Sequence, residues 1–202
     1  MKKLSVVLLN FNGKHHLEAF LPSVVQYSTP HEVVLVDNGS NDGSIEFVKE
    51  TYPSISLITF SENHGFCGGY NKAIPLINSE YVVLLNTDVE VTKNWIEPVL
   101  AHLESDVQIK AAQPKVLDFK AKDKFEYAGA SGGFIDSLGY PFCRGRIFQT
   151  LEKDIGQYDN TSDIFWASGS CFFVHRETYI SLGGLDEDFF AHMEEIDLCW
   201  RI

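Results

Sequence analysis

The first half of the chain alternates short apolar runs with segments of helical periodicity. Apolar runs at 4–9, 32–36, 55–59 and 81–85 predict four strands. The segments between and after them predict helices, the first around Leu17, Leu21 and Val24 with a kink at Pro22, and others at 44–52, 70–77 and 94–103. Strands that are apolar on both faces and separated by helices are typical of a parallel sheet covered by helices. The pattern therefore predicts an α/β fold of a nucleotide-binding kind.

The second half breaks this alternation. Residues 113–162 mix glycine, aspartate, lysine and aromatic residues without a clear period, which predicts a substrate-side insertion or a mixed sheet extension. A strand is predicted at Phe165–Val174, interrupted by Gly169. The chain then stops inside a last helix with neither a glycine cap nor a proline stop after Ile202, so we expect a piece of a longer protein. That helix is predicted from an apolar stripe at helical spacing: Phe189, Met193, Ile196 and Trp200.

Length and composition narrow the class of protein. A chain of 202 residues fits one domain, and no apolar run approaches the ~18 residues of a membrane span. The net charge of −12 repels a phosphate backbone and argues against nucleic-acid binding. The four cysteines form no C-x-x-C pair, and the apolar run at the start is too short for a signal peptide. We therefore expect a cytoplasmic protein without a zinc or disulfide framework.

Polar turns follow all four predicted strands. In an open parallel sheet the ligand crevice lies beyond the carboxyl ends of the strands. Asparagine, aspartate, glycine and serine are ordinary turn residues, so one such turn indicates nothing by itself. Four turns that also carry an aromatic ring at Phe11 and carboxylates at Asp37 and Asp88 indicate a binding site. The turns are Asn10–Gly13, Asp37–Ser40, Glu62–Phe66 and Asn86–Asp88.

The two carboxylates suggest different tasks. A chain of net charge −12 without a phosphate-binding lysine loop would neutralise a diphosphate through a divalent cation, and Asp88 lies where a strand end could hold one. Alternatively, Asp88 caps the next helix. Asp37 can accept hydrogen bonds from a base or a ribose while Phe11 stacks on a ring, or it can simply form a turn; Asp42 suits the N-cap of the second helix.

Six segments spread in order over nearly the whole chain carry a more specific signal. They are 6–13 (VVLLNFNG), 35–40 (LVDNGS), 63–73 (NHGFCGGYNKA), 84–89 (LLNTDV), 183–190 (GGLDEDFF) and 194–201 (EEIDLCWR). Together they resemble the family 2 glycosyltransferases with the GT-A fold, close to rhamnosyltransferase-like members. The resemblance implies a single GT-A domain over 1–202 with a Rossmann-like, mostly parallel sheet flanked by helices. Residues 1–112 would bind the nucleotide-sugar and residues 113–202 would form the acceptor-side half.

The resemblance also implies roles for individual residues. Asp88 would be the carboxylate of the D-x-D-like element and bind Mg²⁺ or Mn²⁺, although the first position of that element is an asparagine here. Trp166 and Gly169 would lie on the acceptor side. The residues expected to contact the nucleotide-sugar are Asn10, Phe11, Asp37, Asn63, Gly65, Gly69, Asn71 and Asn86.

The acidic segment near the C-terminus supplies the candidate base. Residues 194–197 resemble the E-D-x-D element, whose second acidic residue typically deprotonates the acceptor hydroxyl; that residue is Glu195 here. On a helix, Glu195 and Asp197 fall on opposite flanks of the apolar stripe, so only one of them faces the sugar. Asp197 can pair with Arg201 at i, i+4, which favours a structural role. Glu195 is therefore the predicted catalytic base, Asp197 is the alternative, and a solvated acidic face is a third interpretation.

These inferences predict an inverting transfer of a sugar from a nucleotide-diphosphate donor to a hydroxyl of a glycan or lipid-linked glycan. A lipid-linked acceptor would bring the enzyme to the inner face of a membrane as a peripheral protein. A non-catalytic nucleotide-sugar-binding module is the alternative, suggested by the asparagine at 86 and the glutamate at 195. A flavodoxin-like phosphoacceptor domain also places acids at strand ends, but strand one ends here in Asn-Phe-Asn without clustered carboxylates.

Overall fold

The computed structural model describes residues 1–189 and 192–202. Phe190, which belongs to the 183–190 segment, and Ala191 lie outside the described residues. The helices are α1 (Lys14–Tyr27), α2 (Ser44–Thr51), α3 (Gly65–Ala73), α4 (Glu97–Ser105), α5 (Arg176–Ser181) and α6 (Glu194–Arg201). The strands are β1 (Lys2–Asn10), β2 (Glu32–Asn38), β3 (Ser56–Phe60), β4 (Ser79–Leu85), β5 (Ala111–Ala112), β6 (Gly133–Ile135), β7 (Pro141–Cys143), β8 (Arg146–Ile147), β9 (Thr150–Leu151) and β10 (Cys171–His175).

A six-stranded sheet organises the fold, with strand order β3-β2-β1-β4-β10-β5. Strands β1 to β4 are parallel, and β10 runs antiparallel to both β4 and β5. The predicted mostly parallel sheet is thus confirmed. Because β10 comes from the 113–202 half and lies between two strands of the 1–112 half, both halves share one sheet.

Apolar side chains alternate between the two faces of this sheet, and each face carries a buried cluster. Leu35 and Val83 point to the face covered by α1, α2 and α4, whereas Val34 and Val82 point to the face covered by α3, α5 and α6. Leu17, Leu21 and Val24 form the buried stripe of α1, which continues through Pro22. Helices on both faces explain why the strands read as continuous apolar runs.

Two helices begin at residues other than those predicted. Helix α3 starts at Gly65 instead of residue 70, because side chains satisfy its first amides: Asn63 accepts the Gly65 N–H and Asn38 accepts the His64 N–H. It ends at Ala73 and continues as a 3₁₀ turn over Ile74–Leu76. Helix α4 starts at Glu97 instead of 94, since Asn94 has a φ of +62°.

The C-terminal third also differs from the prediction. The strand expected at 165–174 covers only Cys171–His175, because Phe165 and Trp166 form backbone hydrogen bonds with Gly133 of β6 instead. The apolar stripe predicted for the last helix is not its buried face: α6 starts at residue 194, after Phe189, and buries Glu194 and Leu198. Met193 and Trp200 are exposed.

Residues 113–162 form the predicted mixed extension. This region contains two small antiparallel ribbons, β6–β7 and β8–β9, which are separate from the six-stranded sheet. Among the described residues, no helix has both the length and the apolar character needed to cross a membrane.

Candidate active site

The carboxyl ends of β1 and β2 are joined by a buried hydrogen-bond network. Asn10 Nδ2 donates to Asp37 Oδ2 over 3.0 Å and to Ser40 Oγ over 3.1 Å, and the Ser40 N–H donates to Asp37 Oδ1. Asp37 has an exposed fraction of 0%. Direct contact between Asp37 and a nucleotide base therefore requires the turn after β2 to move. Phe11 is 49% exposed, and its stacking on a base stays a prediction.

Asp42 fixes the start of two helices. Its carboxylate accepts the Ser44 N–H at the start of α2 and the Lys14 N–H at the start of α1. Burial would raise the pKa of Asp42, but the hydrogen bonds from Ser44 and Lys14 lower it. The N-cap of α2 is Gly43 instead of the predicted Asp42, although the Asp42 carboxylate still accepts an amide of the first turn. Asp37 is the carboxylate next to the candidate site.

The start of α3 lies beside the end of β2. Asn38 Nδ2 donates to Asn63 Oδ1 and to the Gly65 carbonyl, each over 2.9 Å. Asn63 and Gly65 are exposed, and a side chain at Gly65 would find no atom within 4 Å. Asn63 and Gly65, which we predict to contact the nucleotide-sugar, thus face open space at the N-terminus of α3. Backbone amides at a helix N-terminus favour anions.

Gly69 has a packing role in the structure. It is buried, and a Cβ at this position would lie 2.7 Å from a methyl carbon of Leu9 and 3.0 Å from Asn38 Nδ2. The glycine lets α3 pack closely on β1 and β2, so it does not itself line an open cleft as expected.

We predict that Gly69→Ala destabilises the fold by about 1–3 kcal/mol, because the added methyl group overpacks a site without free volume. Gly68→Ala is the matched control on the same helix. Its Cβ would lie 3.3 Å from the end of the flexible Glu187 side chain and 3.3 Å from His64 Cβ, so a shift of a few tenths of an ångström accommodates it. Urea unfolding of both variants measures the difference, and equal stabilities would contradict the packing role.

Asn71 also acts within the protein. Its Oδ1 accepts from the Tyr179 hydroxyl and the Leu185 N–H, and its Nδ2 donates to the Leu185 carbonyl and to Glu187 Oε1. The side chain of Asn71, predicted to contact the nucleotide-sugar, thus forms its hydrogen bonds with other residues of the protein. Asn71 therefore holds the segment that contains Glu187 against α3.

The end of β4 presents the candidate metal ligand. Asp88 is exposed, and α4 begins only at Glu97 with Ile96 before it, so Asp88 does not cap that helix. Asn86 is partly exposed, and its backbone N–H donates to the Ser170 carbonyl over 3.0 Å. The described residues contain no cluster of three acidic, cysteine or histidine ligands. A cation at Asp88 would therefore complete its shell with diphosphate oxygens and water, as Mg²⁺ commonly does.

Glu195 lies beside the 168–170 segment, which precedes β10 and accepts the Asn86 N–H next to this strand end. A Cβ at Gly169 would be 3.9 Å from Glu195 Cβ and Cδ. Burial and the neighbouring Glu194 raise the pKa of Glu195, and the Gly169 backbone amide and His192 oppose this shift only in part. Glu195 Oε2 is buried and has no partner among the described residues. Since Glu194 is only 6% exposed, the interpretation of a solvated acidic face is wrong.

Asp197 has a different environment. Its Oδ2 accepts from Arg201 Nη2 over 2.6 Å and from Nε over 2.9 Å, and Arg201 also donates to the Leu182 and Gly184 carbonyls. This confirms the predicted i, i+4 pair. Asp197 orients an arginine that attaches α6 to the turn after α5, and Glu195 remains the carboxylate available for chemistry.

Trp166 packs inside the 113–202 half of the chain. It is 4% exposed, and its Nε1 donates to the Phe134 carbonyl. Its ring occupies the space above Gly133, where a Cβ would clash with it. Trp166 therefore supports the segment leading to Gly169, and only Gly169 of the two predicted acceptor-side residues borders Glu195.

These groups meet at one edge of the sheet. A Cβ placed on Gly13 would lie 2.6 Å from Asn10 Oδ1 and 3.8 Å from Thr87 Oγ1. The ends of β1 and β4 are therefore close together. Cys171, the first residue of β10, pairs with Leu85, so the 168–170 segment lies at the same edge.

Sequence reasoning missed Ser40 and Ser170 as connecting residues, because serine in a turn carries no distinctive signal. Two cavities, of about 800 and 510 Å³, lie elsewhere, along β5 and at the amino ends of β1 to β3.

Comparisons with known proteins agree with this geometry. The model of glycosyl transferase family 2 matches residues 5–179. An N-acetylglucosaminyl-diphospho-decaprenol L-rhamnosyltransferase of Mycobacterium tuberculosis is 28% identical over 98% of this chain and 70% of its own length. The low-salt glycan biosynthesis hexosyltransferase Agl10 of Haloferax volcanii is 25% identical over 98% of this chain and 61% of its own.

Solved structures share the fold. The mannosyltransferase PcManGT of Pyrobaculum calidifontis, in complex with GDP-Man and Mn²⁺, superposes with a TM-score of 0.66 at 19% identity. Residues 1–349 of TarS from S. aureus superpose with a TM-score of 0.68 at 15% identity. Each comparison covers 98% of this chain, which spans 51% and 55% of these two neighbours.

Proposed function

This chain belongs to glycosyl transferase family 2, and from that premise we propose that it moves a sugar, with inversion, from a nucleotide-diphosphate donor to a hydroxyl of a glycan or glycolipid acceptor. One observation carries the proposal: Glu195, with a buried and unpartnered carboxylate oxygen, lies next to Gly169 at the sheet edge where β1, β2 and β4 end. Membership of this family leaves no support for the phosphoacceptor alternative.

Glu195 acts as the general base. A carboxylate whose pKa is raised by burial and by Glu194 holds a proton more readily than an exposed one, so it removes the acceptor proton more effectively. The acceptor oxygen then attacks the anomeric carbon from the side opposite the diphosphate, which breaks the sugar–phosphate bond and inverts the configuration. General-base catalysis of this kind contributes typically ~10²–10⁴-fold.

The donor lies along the strand ends. Phe11 stacks on the base, and the amides at the start of α3, near Asn63 and Gly65, face the donor. Asp37 orders the turn after β2 and contacts the base only when that turn moves. Asp88, with Asn86 beside it, would hold Mg²⁺ or Mn²⁺. When bound, that cation supplies electrostatic stabilisation of the departing diphosphate.

Thermal unfolding with nucleotide-sugars tests the proposal. UDP-N-acetylglucosamine, GDP-mannose and dTDP-rhamnose are added with and without Mn²⁺, and donor hydrolysis is followed in parallel. A donor at about 100 times its Kd stabilises the native state by ~2.7 kcal/mol and is expected to raise Tm by about 5 °C or more. Stabilisation without hydrolysis or transfer would instead indicate a binding module. If no nucleotide-sugar of a broader panel raises Tm, the proposal fails.

A further inference from the structure

The side chain of Gln113, the first residue after β5, connects segments that are distant in the sequence. Its Nε2 donates to the Gly129 carbonyl over 3.2 Å and to the Pro114 carbonyl over 3.1 Å, with the Ala130 carbonyl at 3.4 Å. Its Oε1 accepts the Ser168 N–H over 2.6 Å. Both ends of the carboxamide therefore have partners, and all of these partners are backbone groups, so the side chain has a fixed orientation.

The strand before Gln113 fixes its place on the sheet. Ala112 of β5 pairs with Phe173 of β10, so Gln113 lies directly after the last pair. Its partner Ser168 is buried and packs against Gly129, where a Cβ would lie 2.2 Å from both Cβ and Oγ of the serine. Gln113 therefore ties a buried segment to the edge strand of the six-stranded sheet.

The backbone after Ser168 forms a closed turn. The hydroxyl groups of Ser168 and Ser170 are hydrogen-bonded over 3.0 Å, and the Ser170 N–H donates to Ser168 Oγ over 3.3 Å. The Cys171 N–H donates to the Ser168 carbonyl over 3.3 Å. Because all of these hydrogen bonds include Ser168, its contact with Gln113 also determines where Gly169 lies.

This turn lies between the two groups proposed for the chemistry. On one side, the Ser170 carbonyl accepts the N–H of Asn86, two residues before Asp88. On the other side, Gly169 lies beside Glu195, and its backbone amide favours the charged form of that carboxylate. A displacement of the turn would therefore reach both the candidate base and the strand end that carries the candidate metal ligand.

We propose that Gln113 is a positioning residue for the reaction: through Ser168 it keeps the Gly169 amide against the Glu195 carboxylate. The inference rests on the proposed function, in which Glu195 removes the acceptor proton. The carboxamide of Gln113 bonds to backbone partners, so its contribution is geometric. Such a contribution is large, because a misplacement of ~1 Å at a reacting group lowers a rate by as much as about 10²-fold.

The groups that act on the Glu195 carboxylate make this contribution measurable. Burial and Glu194 raise the pKa of Glu195. His192 and the Gly169 amide lower that pKa, and the Cys199 thiol lies one turn further along α6. The proposed positioning acts on the pKa through the amide alone, and withdrawal of the amide raises the pKa further.

Titration of the Glu195 carboxyl group by carbon-detected NMR tests the positioning without turnover. In Gln113→Met the pKa should lie above the wild-type value, because the turn loses its anchor and the amide withdraws from the carboxylate. Gln113→Asn, whose carboxamide stops one methylene short of Ser168, should shift the pKa in the same direction. The asparagine variant decides the test if the methionine variant does not fold.

Tyr158→Phe is the matched control in the same half of the chain. It removes a hydroxyl group that bonds to Glu152 over 3.1 Å, and so it lowers stability. Among the described residues, Tyr158 has no hydrogen bond to the turn after Ser168, so the pKa of Glu195 should keep its wild-type value. An unchanged pKa in the Gln113 variants, or an equal rise in the control, would overturn the proposal.

Transfer assays connect the position of the amide to the reaction. Above the acid limb, kcat of Gln113→Met should fall about 10- to 100-fold, while the donor Kd stays close to that of the wild type. A raised pKa with full kcat would contradict the proposal, since the reaction would then not depend on the turn. Absence of transfer by the wild type would instead refute the proposed function, and the titration alone would then decide whether Gln113 positions Glu195.

Discussion

Replacing Glu195 with glutamine is expected to abolish sugar transfer while donor binding persists. The amide has nearly the same shape but cannot take the acceptor proton, so kcat should fall by ~10²–10⁴-fold. Donor affinity should change little, because Glu195 lies beside Gly169, on the side that we propose for the acceptor. Single-turnover transfer assays and calorimetric titration of the donor separate the two effects.

The pH dependence of transfer gives an independent readout. The base must be deprotonated, so activity is lost as pH falls through the pKa of Glu195. Because burial and Glu194 raise that pKa, the acid limb should lie above the range of an exposed carboxyl group. Asp197→Asn is the matched control: it weakens the ion pair with Arg201 and lowers stability, but it should leave the limb in place. If the Glu195 variant were fully active and the Asp197 variant lost activity, Asp197 would be the base.

Periodicity predicted the sheet well because helices bury its parallel strands on both faces. The runs at 4–9 and 81–85 are apolar at nearly every position, as expected of strands buried on both faces. The same rule failed for the last helix, where the apolar residues Met193 and Trp200 are exposed and the charged Glu194 is buried. Because α6 buries a carboxylate together with Leu198, its inward face does not follow the stripe of larger apolar residues, so pattern alone selects the wrong face.

The sequence predicted which polar turns lie together because the ends of parallel strands converge for topological reasons. Individual roles depend on tertiary contacts that spacing does not encode. Gly69 and Asn71 belong to a segment whose resemblance suggests donor contacts, yet the first permits close packing on Leu9 and the second binds Leu185, more than 100 residues away. Trp166 likewise lies beneath the site and supports Gly169. Resemblance identifies which segments form the site, and only the contacts separate residues that touch a ligand from residues that position the others.

Replacing Asp88 with alanine is expected to remove the Mn²⁺-dependent part of donor affinity and leave the fold intact. Asp88 is exposed, and the described residues offer no cluster of three ligands that could replace it. Loss of even an outer-sphere partner costs metal affinity 10–100-fold, so loss of this direct ligand should cost about 100-fold or more. Calorimetric titration of the donor with and without Mn²⁺ measures the change.

Two further variants sharpen this test of the metal site. Asp163→Ala removes an exposed carboxylate on the cavity along β5 and should leave Mn²⁺ dependence unchanged. Asn86→Asp adds a second carboxylate two residues before Asp88, and it should increase Mn²⁺ affinity because hard divalent cations prefer charged oxygen ligands. If the Asp88 variant bound the donor with unchanged affinity and unchanged response to Mn²⁺, the diphosphate would be neutralised by protein amides, chiefly those at the start of α3. The two outcomes distinguish a cation held at the end of β4 from a helix N-terminus as the group that balances the leaving charge.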